Sequence, residues 1–108
     1  MSEVNTRFYE GMLIFRPTLS EEELETAVKG VEKHLTKAGG QIVETRMWGK
    51  RKLAYPIARH KEGVYVLFYF NAPTSIISGV KRAVKLNEDV IRELITVTTE
   101  NELSKTAI

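Results

Sequence analysis

The chain has 108 residues, of which 43% are hydrophobic and 28% are charged, and its formal net charge is only +2. This length fits one domain, residues 1–108, and the composition is typical of a globular protein rather than a disordered one. The absence of cysteine excludes disulfides, a thiolate nucleophile and cysteine-based zinc sites. We expect neither a signal peptide nor a membrane span, because no apolar run is long enough.

The first predicted element is a strand over residues 7–15, in which side chains alternate between two faces. One face holds Tyr9, Gly11, Leu13 and Phe15, and the other holds Phe8, Glu10, Met12 and Ile14. The sequence Arg-Pro-Thr at residues 16–18 ends the strand.

The first helix is predicted to begin at a capping box. Ser20 is the N-cap and Glu23 lies three residues later, while Leu19 and Leu24 occupy the positions of a hydrophobic staple. Gly39 predicts a left-handed cap at the other end of the helix. Apolar residues at helical spacing form one stripe, made of Leu24, Ala27, Val28, Val31, Leu35 and Ala38.

A long second strand is predicted over residues 41–57. Ile42 and Met47 are expected to face the core, and the Trp-Gly step at Trp48 predicts a kink or a bulge. Pro56 has no N–H to donate to a neighbouring strand, so we expect either that this strand is at an edge of the sheet or that it ends there.

The rest of the chain predicts a hairpin loop over residues 59–63, a strand over 64–72, a helix over 73–86 capped by Asn87, and a strand over 90–97. The ordered core is therefore expected to span residues 7–97. The polar stretch 98–108 is expected to be a flexible tail.

The predicted order β-α-β-β-α-β indicates the α+β class. Right-handed crossovers convert this order into a ferredoxin-like split βαβ sandwich, a four-stranded antiparallel sheet with two helices on one face. The second and fourth strands are the edges in this topology, which agrees with the position of Pro56.

The sequence offers little for catalysis. His34 and His60 have no carboxylate or thiol at a catalytic or metal-binding spacing, and no phosphate-binding glycine loop occurs. Acylphosphatases share the predicted fold and carry an arginine in a glycine-rich loop after the first strand. Arg16 matches that arginine loosely, but the loop has Pro17 and no glycine, so we expect no catalytic residue, metal or cofactor.

A basic run in the second strand is the most informative feature. From Arg46 to Lys61 there are six lysines and arginines and no carboxylate. Lysines on an edge strand discourage aggregation, but that role explains only one or two of them. Such a patch also fits an anionic partner, above all nucleic acid, whose phosphates it neutralises. Trp48 and Tyr55 flank the cations and offer faces for unpaired bases, although both also fit a packing role.

The sheet face away from the helices predicts a second interaction surface. Large apolar side chains from the first and third strands would lie together there, and such patches usually bind a partner. RNA-recognition motifs use the same face of this fold, but the aromatic spacing differs here, which favours a protein partner or self-association. The residues of this surface are Phe8, Met12, Ile14, Tyr65, Leu67 and Tyr69.

The run Gly-Lys-Arg-Lys-Leu-Ala-Tyr-Pro-Ile-Ala at residues 49–58 resembles the signature of the bacterial small-subunit ribosomal protein six family. Three further segments are similar to that family: Tyr9-Glu10 with Arg16-Pro17, the Ala72-Pro73 exit from the third strand, and Asp89-Val90-Ile91-Arg92. The similarity covers about residues 7–97. At Lys52 the family more often has another residue.

This resemblance implies a ferredoxin-like fold without catalysis, in a cytoplasmic ribosomal protein that binds 16S ribosomal RNA together with ribosomal protein eighteen. It also implies no small-molecule substrate. The alternative that the residues leave open is a non-catalytic homo-oligomeric interaction module of the same fold. The candidate RNA-binding residues are Arg7, Arg46, Lys50, Arg51, Lys52, Tyr55, Arg59 and Arg92.

Overall fold

The structure, a computed structural model, describes residues 5–99. Its strands are arranged in one antiparallel sheet with the order β2-β3-β1-β4, so β2 and β4 are the edges. This arrangement confirms the predicted ferredoxin-like split βαβ fold. The elements are β1 (Thr6–Phe15), α1 (Glu21–Ala38), β2 (Gln41–Ile57), β3 (His60–Pro73), α2 (Ile77–Leu86) and β4 (Val90–Val97).

The hydrophobic core lies between the two helices and one face of the sheet. The predicted inward face of β1 is buried, and the helices contribute the predicted apolar stripes. Burying each large side chain contributes about 1.5–3 kcal/mol, so this layer is the main source of stability. The buried residues include Tyr9, Leu13, Phe15, Val66, Phe68 and Phe70 from the strands, and Val28, Val31, Leu35, Val80 and Val84 from the helices.

Both ends of α1 are capped as predicted. The Ser20 hydroxyl accepts a hydrogen bond from the Glu23 N–H at 3.1 Å, and the Glu23 carboxylate accepts one from the Ser20 N–H at 2.8 Å. The Ser20 N–H bond to the carboxylate is the main cause that lowers the pKa of Glu23, and the Ser20 side chain adds to the effect. Gly39 has φ +111, the left-handed conformation that lets the chain leave the helix.

The predicted hairpin loop over residues 59–63 is wrong. A two-residue turn at Ala58 and Arg59 connects the strands, with φ angles of +50 and +69, and β3 already begins at His60. Two successive left-handed residues match the twist of a tight hairpin, although neither of them is glycine. The glycine that indicated a loop, Gly63, is a strand residue instead.

The start of the second helix is also later than predicted. Pro73 still belongs to β3 and pairs with Thr6 of β1. Residues Thr74–Ile76 form a 3₁₀ turn, and α2 follows it. Asn87 is the C-cap, as predicted.

Met47 is not buried in the core, which corrects the sequence interpretation. Its side chain is 51% exposed, although its partner across the strands, Val66, is fully buried. The reason is the edge position, because no residue of β2 is buried.

The predicted tail falls almost entirely outside the described residues. Thr98 and Thr99 are its only described members, and the Thr98 N–H donates a hydrogen bond to the Phe8 carbonyl at 2.9 Å. Neither described helix has the length and hydrophobicity needed to cross a bilayer.

Candidate nucleic-acid interface

The distal part of the β2–β3 hairpin, residues 50–63, projects beyond the central strand β1, and we call it the arm. The last pair between β1 and β3 is Phe15 with Val64, so the arm has only its own two strands for pairing. The tight turn at Ala58 and Arg59 closes it. The basic run therefore lies on a two-stranded ribbon rather than in the body of the sheet.

The arm begins at a β-bulge. Met47 pairs with Val66 and Gly49 pairs with Tyr65, so Trp48 is an extra residue without an opposite partner. Gly49 has φ +86, which glycine adopts without strain. The bulge confirms the prediction at this Trp-Gly step, and a bulge increases the local twist of its strand.

The three consecutive cations follow the bulge at once. Lys50, Arg51 and Lys52 are exposed and lie opposite residues 64, 63 and 62 of β3. Glu62 is thus a nearby carboxylate, yet among residues 5–99 no carboxylate oxygen lies within 4.0 Å of any of the three cations. Their charge remains available to an external anion.

The Trp48 ring is already in contact with one of these cations. The Arg51 guanidinium carbon lies 5.3 Å from the centre of the ring, within the range of a cation–π contact. This contact supports the packing role that the sequence left open for Trp48. It also holds the Arg51 side chain back toward the bulge.

Arg46 differs from the triplet because its charge is compensated. Its guanidinium forms an ion pair with Glu44 and lies 5.5 Å from the centre of the Tyr69 ring. Only 19% of its side chain is exposed. The structure therefore places Arg46 in the sheet surface rather than among the unpaired cations.

Two further candidate RNA-binding residues, Tyr55 and Arg92, contact each other. Arg92 donates a hydrogen bond to the Tyr55 hydroxyl at 2.6 Å, and its guanidinium carbon lies 6.0 Å from the centre of the Tyr55 ring. The Tyr55 hydrogen bond raises the pKa of Arg92 above its ordinary value. The contact links β2 to β4, the opposite edges of the sheet.

The last two candidates are at separate places. Arg59 is exposed in the turn at the tip of the arm. Arg7 is exposed near the start of β1, seven residues from Ile14, which is roughly 24 Å along the strand. The structure therefore gathers Arg59 with the triplet on the arm and leaves Arg7 at the far end of the sheet.

The surface predicted on the helix-free face is only partly open. Ile14, Leu67 and Tyr69 are 2%, 2% and 0% exposed, so they cannot form an exposed patch as the sequence predicted. The other members of that set are half-buried: Phe8, Met12 and Tyr65. Leu94 of β4, which pairs with Met12, is exposed and extends this surface.

Contacts within the chain explain why Tyr69 is covered. The Phe8 ring stacks on it with centroids 6.1 Å apart, and the Tyr69 hydroxyl donates a hydrogen bond to Glu10 at 2.8 Å. The Arg46 guanidinium lies over the same ring. Four side chains from three strands therefore close this part of the face.

Arg16 is engaged in a structural contact. Its Nε atom lies 2.9 Å from Asp89 and Nη1 donates to Thr18 at 2.7 Å, while its backbone N–H donates to the Asp89 carbonyl. These contacts join the end of β1 to the start of β4. They leave Arg16 poorly suited to the anion-binding role that an acylphosphatase-like loop requires.

Sequence reasoning missed two neighbours of the basic run. Glu44 precedes Arg46 by two residues, and strand alternation would have placed both on one face. The contact between Tyr55 and Arg92 spans 37 positions of the chain, and no local pattern indicates it.

Together, the fold and the arm define a class: a small α+β protein of ferredoxin-like fold that presents unpaired cations on an edge hairpin. Within residues 5–99, no three histidine, aspartate or glutamate side chains are grouped to hold a metal ion. The free charge of the arm, rather than a cavity lined by acids and bases, is the chemical feature of this surface.

Comparisons with known proteins identify the family. The family model described as Ribosomal protein S6 matches residues 8–97. Small ribosomal subunit protein bS6 of Synechococcus sp. (strain CC9311) is 46% identical over 96 residues, covering 89% of this chain and 78% of the relative. The protein of the same name from Campylobacter hominis is 42% identical over 96 residues, covering 89% of this chain and 66% of the relative.

A solved structure agrees with these relatives. The crystal structure of 30S ribosomal protein S6 from Thermotoga maritima superposes with a TM-score of 0.81 at 29% identity, covering 94% of this chain and 95% of that one. The chain belongs to the ribosomal protein S6 family, a family of non-enzymatic proteins of the small ribosomal subunit. The family predicted from the resemblance is thereby confirmed, as is the absence of catalysis.

Proposed function

We propose that this protein is a structural component of the small ribosomal subunit that binds 16S ribosomal RNA jointly with ribosomal protein eighteen, in the cytoplasm. The observation that carries the proposal is the unpaired triplet Lys50, Arg51 and Lys52 on the projecting arm. Three exposed cations without a carboxylate within 4.0 Å in the described residues favour a polyanion as their partner.

Phosphate neutralisation is the main source of affinity in this proposal. Neighbouring strand residues point to opposite sides, so Lys50 and Lys52 lie on one side of the ribbon, about 7 Å apart along it, and Arg51 lies on the other. Cations on both sides of a narrow ribbon suit a groove or a junction between RNA segments, where phosphates lie on both sides. Recognition then depends on RNA shape more than on base edges.

The protein partner is assigned to the helix-free face of the sheet. The accessible part of that face comprises the half-buried Phe8, Met12 and Tyr65 together with the exposed Leu94. An apolar surface of this kind fits a protein better than RNA, because RNA offers few apolar groups. Met12, Tyr65 and Leu94 also line the groove beside the arm, so the two surfaces adjoin. RNA and ribosomal protein eighteen would still contact different residues, and they can bind at the same time.

The test measures binding to a central-domain fragment of 16S ribosomal RNA across a salt series, with and without ribosomal protein eighteen. The variant changes Lys50, Arg51 and Lys52 together to Gln. The slope of log K against log salt is negative, and each lost phosphate contact makes it less steep by about 0.7–0.9. Three lost contacts therefore reduce its magnitude by roughly 2–3. Affinity should fall at low salt, where phosphate contacts contribute most.

A matched control removes the same charge elsewhere. Lys29, Lys33 and Lys37 are exposed on α1, and Gln keeps a good helix propensity there. This control should retain the wild-type slope. Equal slopes for the arm variant and the wild type would contradict the assignment of the triplet, and RNA binding that ribosomal protein eighteen leaves unchanged would contradict joint binding.

The homo-oligomeric alternative has less support. It relied on an open apolar face, and Ile14, Leu67 and Tyr69 are covered within one chain. Sedimentation of the isolated protein should therefore show a monomer at micromolar concentration.

A further inference from the structure

The contact between Tyr55 and Arg92 crosses the open face of the sheet. Tyr55 is on β2 and Arg92 is on β4, which are separated by β3 and β1. Three strand spacings amount to roughly 14 Å, yet the two side chains are in hydrogen-bond contact at 2.6 Å. The two long side chains bridge this distance on the helix-free face of the sheet, where both line a groove with Met12, Ile14 and Leu94.

The strand pairing shows where the arm departs. Lys52 pairs with Glu62 and the next pair is Ile57 with His60, so residues 53–56 stand against a single residue of β3. Pro56, within that stretch, has no N–H to offer. This stretch is released from the ladder, and its position depends on side-chain contacts.

Residues 53–56 are not packed tightly against the sheet. A groove of about 260 Å³ separates it from the sheet, lined by Met12, Ile14, Leu53, Tyr55, Tyr65 and Leu94 among others. Because the stretch does not pack densely, the hydrogen bond at its end has a large influence on its direction. On the described residues, the Tyr55–Arg92 contact is the hydrogen bond that ties it to β4.

We propose that Tyr55 and Arg92 form a latch that orients the arm, so that both act on RNA binding as positioning residues rather than as RNA contacts. The inference rests on the proposed function, because the benefit of the latch is to hold the cationic triplet in its binding geometry. A fixed arm loses less conformational freedom when it binds, which raises affinity without adding a charge.

The test is Tyr55→Phe, which removes one hydroxyl and keeps every charge and ring. The amide resonances of residues 50–55 and of Ile57 should show lower heteronuclear NOE values in the free protein, and these values report nanosecond motion. Affinity for the 16S fragment should fall about threefold to tenfold, the effect of one hydrogen bond, with an unchanged salt slope. Tyr9→Phe is the matched control, since Tyr9 lies in the core and not in the arm, and it should leave both readouts at the wild-type level.

Arg92→Met separates the latch from a direct phosphate contact. If Arg92 is a latch residue, Arg92→Met should lower the affinity for the 16S fragment as much as Tyr55→Phe does and leave the salt slope unchanged. The double variant, Tyr55→Phe with Arg92→Met, should show no further loss of affinity. A slope lowered by about 1 for Arg92→Met, with wild-type behaviour for Tyr55→Phe, would show that Arg92 binds phosphate and would overturn the proposal. The NMR measurement needs no RNA, so an arm that stays equally ordered in Tyr55→Phe refutes the latch even if the wild type does not bind the fragment.

Discussion

Gly63→Ala tests whether the arm needs a close approach between its second strand and β1. An added Cβ at Gly63 would lie 2.3 Å from Cγ2 of Ile14, while its other neighbours are the Phe15 carbonyl at 3.5 Å and Cδ1 of Ile91 at 3.6 Å. Ile14 is 2% exposed, so it has little room to move away. We expect the substitution to destabilise the protein.

The sign of the effect is informative because two terms oppose each other. Replacing glycine by alanine without a clash usually stabilises by about 0.4–1 kcal/mol, since the unfolded chain loses freedom. Overpacking of a buried contact costs about 1–3 kcal/mol. An overlap of about 1 Å with a buried strand residue puts the overpacking cost of Gly63→Ala toward the upper end of this range. The net loss of unfolding free energy should therefore be about 1–2 kcal/mol, which corresponds to a fall in Tm of roughly 4–8 °C.

Urea unfolding followed by Trp48 fluorescence measures this difference. Gly30→Ala is the control, because a Cβ at Gly30 meets nothing within 4 Å and alanine favours the helix by about 1 kcal/mol. In an Ile14→Ala background the clashing atom is gone, and the loss from Gly63→Ala should shrink to near zero. A Gly63→Ala protein as stable as the wild type would refute the reasoning about the close approach.

Two further predictions concern the ends of β1 and α1. Ser20→Ala should destabilise the protein by about 1 kcal/mol in chemical unfolding, and an NMR titration should show the lowered pKa of Glu23 returning toward its ordinary value of 4.5. Because the folded pKa of Glu23 is the lower one, its contribution is present above pH 4.5 and disappears as the pH falls through the folded value. The Ser20→Ala variant keeps the Ser20 N–H bond to the carboxylate, so it should show a weaker form of this pH dependence. Arg16→Gln should lower the unfolding free energy by about 1 kcal/mol by breaking the partly exposed pair with Asp89, and an unchanged midpoint would exclude a structural role.

The helix α1 was predictable because its signals are local. Ser20 and Glu23 satisfy each other's backbone groups within four residues, and the apolar stripe repeats at the helical period. Gly39 ends the helix because glycine adopts the left-handed conformation without strain, a property of that one residue. Every one of these signals can be read without knowing what packs against the helix.

The arm was less predictable because its shape depends on distant residues. Gly63 indicated a turn, but its small size is needed for the approach to Ile14, which is 49 positions earlier in the chain. The real turn, at Ala58 and Arg59, has no glycine to mark it. The contact of Tyr55 with Arg92 joins two strands that are not neighbours in the sheet, and a linear pattern does not contain that information.

The candidate site shows the same division. The exposure of Lys50, Arg51 and Lys52 followed from their number, since three adjacent cations cannot all be buried. The ion pair between Arg46 and Glu44 becomes apparent only when the charge count of the strand includes Glu44, which precedes Arg46 by two residues. The covering of Tyr69 required the stacking of Phe8, which is a tertiary contact.

The bulge divides the edge strand into two parts with different electrostatics. Before it, Glu44 and Arg46 form a pair, so that part of the edge carries no net charge. After it, the triplet begins at Lys50 and is unpaired in the described residues. A second strand that paired with this part would have to desolvate the three cations, which disfavours edge-to-edge association, whereas a phosphate chain supplies the opposite charge. Edge protection and anion binding therefore require the same residues, and the salt dependence of binding should reside on the arm side of the bulge.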